Sequence, residues 1–148
     1  MIPVKITKLR KDAVIPEYMT VGAAGADIRA CLEAPLVVEP MARVQVPTGL
    51  AVAIPVGYEI QVRPRSGLSF KQGLTVVNAP GTIDSDYRGE VCVLLVNLSG
   101  TSVTIQNGDR VAQIVIQEAK QIAFEEVPAL DETARGAGGF GSTGVCAH

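Results

Sequence analysis

The chain has 148 residues, 47% of them hydrophobic and 19% charged, with no tryptophan and a formal net charge of −2. A pI near 5.4 offers no basic footprint for nucleic acid, so no such partner is expected. One domain of this size buries roughly 70% of its unfolded surface, which is enough for a real core. The mean hydropathy of +0.28 fits either a large core or apolar surface buried between subunits. The second is preferred, because monomers rarely leave large apolar patches bare.

The amino-terminal MIPVKITKLRKD lacks the apolar centre of a signal peptide. The longest uncharged apolar stretch of the body, VQVPTGLAVAIPVGY (44–58), is too short for the ~20 residues of a membrane span. No membrane association and a cytoplasmic location are expected.

Short β-rich runs then follow in chain order: 4–9, 26–31, 42–47, 50–55, 58–63, 74–78, 91–97, 102–106, 111–117 and 122–127. The separators VPTG, IPVG, NLSG and QNGD carry turn chemistry, and no long helical period appears. This spacing predicts an all-β sandwich or barrel. VCVLLV (91–96) is apolar on both faces and belongs at the centre of a sheet. Ser66 to Lys71, in contrast, is too polar and glycine-marked for a strand; a short helix is expected there with Ser66 as its cap. From Asp131 onward the composition changes, and RGAGGFGSTG (135–144) has five glycines in ten residues. The expected organisation is a barrel domain over 1–130 and a mobile arm over 131–148.

Cys31, Cys92 and Cys146 are widely spaced and odd in number, which favours reduced thiols over a disulfide or metal site. The only histidine is His148. A Ser-His-Asp triad, a Cys-His pair or a histidine-based zinc site is therefore unavailable inside the fold. An enzyme built on this chain must use a carboxylate, or a metal-bound water, as its base.

Several stretches have competing readings. GAGGFG (136–141) matches a dinucleotide fingerprint in spelling only, since no helix and second strand can follow it. Arg65, Ser66 and Gly67 suit an anion site, or simply a capped turn with a solvated arginine. In GDRVAQ (108–113), Arg110 could pair with its neighbour Asp109, and Gln113 enters an apolar strand. NAPGTIDSDYRGE (78–90) reads as a tight hairpin between central strands, crowded with Asp84, Asp86, Arg88 and Glu90. Solubilising charge explains the acids, but an exposed turn has no need of Tyr87.

Taken together, AGADIRA (24–30), PRSGLSFK (64–71), NAPGTIDSDYRGE (78–90), GDRVAQ (108–113) and RGAGGFGSTG (135–144) closely resemble the five ordered motifs of the trimeric dUTPases. Ile28 stands where leucine is usual and Val111 where isoleucine is usual. The resemblance implies a jelly-roll type β-barrel assembled as a homotrimer with shared active sites. It also implies Mg2+-assisted hydrolysis of dUTP to dUMP and pyrophosphate.

By the same resemblance, Asp84 holds and activates the attacking water. Tyr87 packs on the sugar and excludes a ribose 2′-OH. Asn78, Thr82, Ile83 and the strand at Cys92 form the uracil pocket. Arg65, Ser66, Gly67 and Gln113 contact phosphates from a neighbouring subunit. Arg135, Phe140, Gly141, Ser142 and Thr143 belong to the closing arm, where Phe140 stacks on the base. Asp27 lies near the metal's water shell, and the direct Mg2+ ligands are mainly substrate phosphates. Asp109 and Arg110 are positioning groups. A dCTP deaminase shares the fold but attacks the base and usually carries a glutamate at the base-reading site. A nucleotide-sensing trimer without catalysis would be expected to lose Asp84 or the arm.

Overall fold

A computed structural model describes residues 1–142 and Gly144. Thr143 and Cys146 lie outside the described residues.

Eleven strands and one helix make up the described chain. The four-stranded sheet has the order β2 (Ala26–Arg29), β11 (Arg110–Glu118), β6 (Tyr58–Arg63), β8 (Gly81–Ile83). The three-stranded sheet has β9 (Cys92–Asn97) between β4 (Arg43–Pro47) and β7 (Leu74–Val76). Two antiparallel pairs complete the set, β1 (Lys5–Lys8) with β5 (Leu50–Ala53) and β3 (Leu36–Val38) with β10 (Val103–Ile105). Ile28, Ile60, Val62 and Val111 from the first sheet share one cluster with Val46, Val93, Leu95 and Leu74 from the second. Such facing layers, buried on one side and polar on the other, are the all-β packing that the strand spacing predicted, and they are consistent with the jelly-roll type that the resemblance implied. VCVLLV does occupy the centre of its sheet, although Leu94 remains 38% exposed on the outer face.

The helix α1 (Ser66–Gln72) falls where expected, but its cap differs. Arg65, extended at φ −95 and ψ 125, is the capping residue, and Ser66 is the first helical one. No side chain caps this end. The difference matters because an extended Arg65 sends its guanidinium towards β2 and β11. Gly73 closes the helix at φ +66, donating its N–H to the Ser69 carbonyl at 3.0 Å.

Three further differences have physical causes. Residues 122–127 form no strand: Ile122 and Phe124 are 72% and 91% exposed, so neither face of the segment finds a partner within the chain. Strand β3 went unpredicted because three residues between Pro35 and Pro40 are too few to display a period. The 78–90 segment is more than a tight hairpin. β7 and β9 are antiparallel partners, but the chain between them crosses to the other sheet and adds β8 at its edge.

Asn97 is fully buried, and its side chain ties β3 to the 99–101 turn. Its Nδ2 donates to the carbonyls of Val38 and Thr101 at 2.9 and 2.8 Å, and its Oδ1 accepts from the N–H and hydroxyl of Ser99. Asn97→Ala strands these buried groups, and a loss of about 3 kcal/mol in urea unfolding is expected. An unchanged midpoint would show that the network is not structural.

Candidate active site

Three groups of site residues are distinct in the single chain. The first gathers around Asp27. Its Oδ1 accepts from Arg65 Nε at 3.1 Å and its Oδ2 from Arg110 NH1 at 3.0 Å. Arg65 NH1 also donates to the Arg110 carbonyl at 3.2 Å. Arg110 thus pairs across the sheet and not with Asp109, whose Oδ2 accepts the N–H of Gln106 within its own turn.

A β-bulge makes this geometry possible. Arg110 faces Arg29 and Gln113 faces Asp27, with the register shifting between Arg110 and Ala112. Residues three apart point to opposite faces of a regular strand. The extra residue, Val111, returns Arg110 and Gln113 to the same face, beside Asp27. Gln113 is fixed by donating Nε2 to the Pro64 carbonyl at 2.9 Å. Gly25 leaves it room, since a Cβ there would collide with the Gln113 amide oxygen. Beside this cluster, a cavity of about 210 Å³ between α1, β10 and β11 is lined in part by Arg65 and Arg110.

The second group surrounds a cavity of about 260 Å³ lined by Thr82, Ile83, Asp84, Tyr87 and Cys92, together with Gln45, Glu90, Val91 and Leu94. Strand β8 supplies its edge, the turn after it supplies Asp84 and Tyr87, and the start of β9 supplies the floor. The Tyr87 hydroxyl donates to the Glu90 carbonyl at 2.9 Å, and its ring lies over Gly89, where a Cβ would overlap the phenol. Burial pushes the Cys92 thiol above its ordinary pKa, so it lines the cavity as a neutral, weakly polar group at neutral pH. Cys92 is half-buried, whereas Cys31 is fully buried as expected. Asn78 stands just outside, its amide against buried Gly81. Among the liners, Gln45, Glu90, Val91 and Leu94 were given no site role in the sequence reading. Only the outward phase of Q45 in RVQVP and L94 in CVLLVN hinted at the cavity.

The third group is the arm. Arg135 Nε donates to the Gly138 carbonyl at 2.7 Å, Ser142 N–H to the Gly139 carbonyl at 3.0 Å, and Phe140 is fully exposed. These glycine-rich turns bond locally and leave Phe140 without a surface to cover.

The register separates the first two groups. Ile83 faces Ile60, so Asp84 falls level with Glu59, while Arg65 lies six positions farther along. At ~3.3 Å per residue the two side chains start about 20 Å apart within one chain. As for a metal, no three Asp, Glu, Cys or His side chains gather as a cage among the described residues. Both oxygens of Asp27 are already taken by guanidiniums. The described residues of one chain by themselves therefore do not fit a protein-ligated cation.

An all-β fold with a nucleoside-sized cavity on one edge and a guanidinium cluster on another defines a β-barrel nucleotide-binding protein. The family model described as dUTPase matches residues 11–144, and the chain belongs to that family. Among its relatives, the deoxyuridine 5′-triphosphate nucleotidohydrolase of Caulobacter vibrioides is 63% identical over 136 residues, covering 90% of this chain and 88% of that one. The enzyme of the same name from Treponema denticola is 57% identical over 139 residues, covering 94% and 96%. In three dimensions the chain superimposes on Staphylococcus bacteriophage 80alpha dUTPase with dUPNHPP. The TM-score is 0.86 at 28% identity, over 97% of this chain and 99% of the other. No helix of the described residues is long and apolar enough to cross a membrane.

Proposed function

We infer that the protein hydrolyses dUTP to dUMP and pyrophosphate, by attack of water on the α-phosphate in a site assembled from neighbouring copies of the chain. The observation that carries this reading is the cavity holding Asp84 and Tyr87 together, about 20 Å along the sheet from Arg65. A nucleotide whose α-phosphorus lies beside Asp84 does not reach the Arg65 of its own chain. A homotrimer resolves this by bringing the guanidinium cluster of one copy to the cavity of the next. The exposed Ile122, Phe124 and Leu130 of residues 119–130 support the same assembly, because a partner would bury them.

Within that site, deoxyuridine fills the cavity. Thr82, Ile83 and Cys92 border the uracil, with Asn78 at the rim, and Tyr87 lies against the sugar. Asp84 orients the water. It does not make free hydroxide, since the gap between the reference acidities of aspartate and water corresponds to about 16 kcal/mol. Phosphoryl transfer through a loose transition state needs an in-line nucleophile and neutralised phosphates, and the carboxylate takes the proton late. Arg65, Ser66, Gly67 and Gln113 hold phosphate oxygens. Asp27 keeps Arg65 and Arg110 aimed at that side. Mg2+ would be held mainly by the substrate phosphates, with Asp27 reaching it only through water, and would neutralise charge on the phosphate oxygens. Arg135, Phe140, Gly141, Ser142 and Thr143 of the arm close over the nucleotide and expel water, which strengthens every charge contact beneath. A cytoplasmic location suits the free thiols Cys31 and Cys92.

The direct test is pyrophosphate release from dUTP, dTTP, dCTP and UTP with and without Mg2+, with ammonia followed in parallel. Pyrophosphate from dUTP alone, and no ammonia from dCTP, is expected. Equal turnover of all four would refute the pocket, and ammonia would make the protein a deaminase.

A further inference from the structure

Behind the Tyr87 cavity lies a buried turn, Thr48-Gly49, that joins β4 to β5 and is bonded to Glu90, the last residue of the third motif, and to Val91 just after it. Thr48 is 1% exposed, and its hydroxyl donates to the Val91 carbonyl. The next N–H, that of Gly49, donates to Glu90 Oε1 at 2.7 Å. Val91 N–H in turn donates to the Leu50 carbonyl at 2.8 Å. Thr48, Gly49 and Leu50 thus hold residues 90–91 at three points, the carbonyl and N–H of Val91 and the side chain of Glu90.

The gripping turn is itself immobilised. Leu9 N–H donates to the Gly49 carbonyl at 2.7 Å, and Cys31 N–H to the Pro47 carbonyl at 2.8 Å. Gly49 sits at φ +67, and a Cβ there would fall 2.8 Å from Ala13 Cβ and 2.9 Å from Cys31 Sγ. No other residue fits that backbone without displacing the core.

Tyr87 is 46% exposed, so packing alone does not fix its ring. Its hydroxyl rests on the Glu90 carbonyl, and the ring is placed only as well as that carbonyl is placed. A hydroxyl buried merely to satisfy itself would explain Thr48. It leaves unexplained why Glu90, a carboxylate lining the cavity, spends its Oε1 on a backbone amide instead of solvent.

We propose that Thr48 and Glu90 are positioning residues for sugar discrimination, holding the 90–91 backbone on which the Tyr87 phenol is anchored. The proposal rests on the dUTP reading above and deepens it. Deoxyuridine and uridine nucleotides differ by one oxygen, and a wall that excludes that oxygen must hold its place to within about half an ångström. The Thr48 hydroxyl supplies that stiffness from behind the cavity and the Glu90 carboxylate from its wall.

The test compares kcat/KM for dUTP and UTP in the full chain. Thr48→Val and Glu90→Ala are expected to lower the dUTP:UTP ratio by about tenfold or more. Thr48→Ser and Glu90→Gln, which keep the donor and the acceptor, should return it to within about threefold of wild type. A purely structural role would lower the melting temperature and leave the ratio unchanged, and that result in folded variants overturns the proposal. Should Thr48→Val or Glu90→Ala not fold, Tyr87→Phe removes the last link without disturbing the buried turn. An unchanged ratio there also overturns it. Failure of the wild-type protein to release pyrophosphate from dUTP would sink the dUTP reading instead, so the two failures are distinguishable.

Discussion

Asp84→Asn is expected to lower kcat on dUTP by about a thousandfold, while affinity for a non-hydrolysable analogue such as dUPNHPP stays within about threefold. The substitution preserves size and can still hydrogen-bond a water. It cannot take the proton that the water loses as the bond to phosphorus forms. In the single chain Asp84 lines the cavity, is exposed, and is engaged by no ion pair among the described residues. Nothing in the fold therefore competes for its carboxylate, and little stability should be lost with it. Calorimetry on the variant with the analogue, beside single-turnover hydrolysis, separates binding from chemistry. Substantial turnover by Asp84→Asn would remove Asp84 from the mechanism.

The second large effect is expected from deleting residues 135–148. Catalysis should fall by at least about a hundredfold, through lost phosphate contacts and lost exclusion of water. The barrel should survive, since its buried cluster ends at Ala112 and the last strand at Glu118. In the single chain the described part of the arm bonds mainly to itself, with Arg135 on the Gly138 carbonyl and Phe140 uncovered. A melting temperature near that of the full chain, combined with lost activity, is the expected pair of results. A truncated protein of undiminished activity would make the arm a dispensable tail.

Much of this was legible in the sequence, and the limits have physical causes. The strands were visible because apolar residues alternate between proline and glycine turns, and β9 was visible as a run apolar on both faces. The five motifs singled out the candidate site residues, but their spacing along the chain carried no information on which would meet. Asp27, Arg65 and Gln113 converge because β11 pairs with both β2 and β6. The bulge at Val111 that turns Arg110 towards Asp27 leaves no trace in a six-residue motif. Sequence reading placed Arg110 beside Asp109, the obvious neighbour, because a cross-strand partner is invisible without register. The Thr48-Gly49 turn looked like any other separator, since its importance lies wholly in what it touches. The residues 122–127 misled for the opposite reason. Their alternation is real, but a strand needs a partner edge, and the chain offers none to them.

Hybrid assembly tests the shared site most directly. Asp84→Asn and Arg65→Ala chains, each inactive alone, would be unfolded together in equal amounts and refolded. A site that draws Asp84 from one copy and Arg65 from the next is intact in about a quarter of random combinations. Recovery of about that fraction of wild-type pyrophosphate release from dUTP is the predicted result. No recovery, in oligomers shown to contain both chains, would mean that Asp84 and Arg65 must come from the same chain, against the separation along β6 and β8.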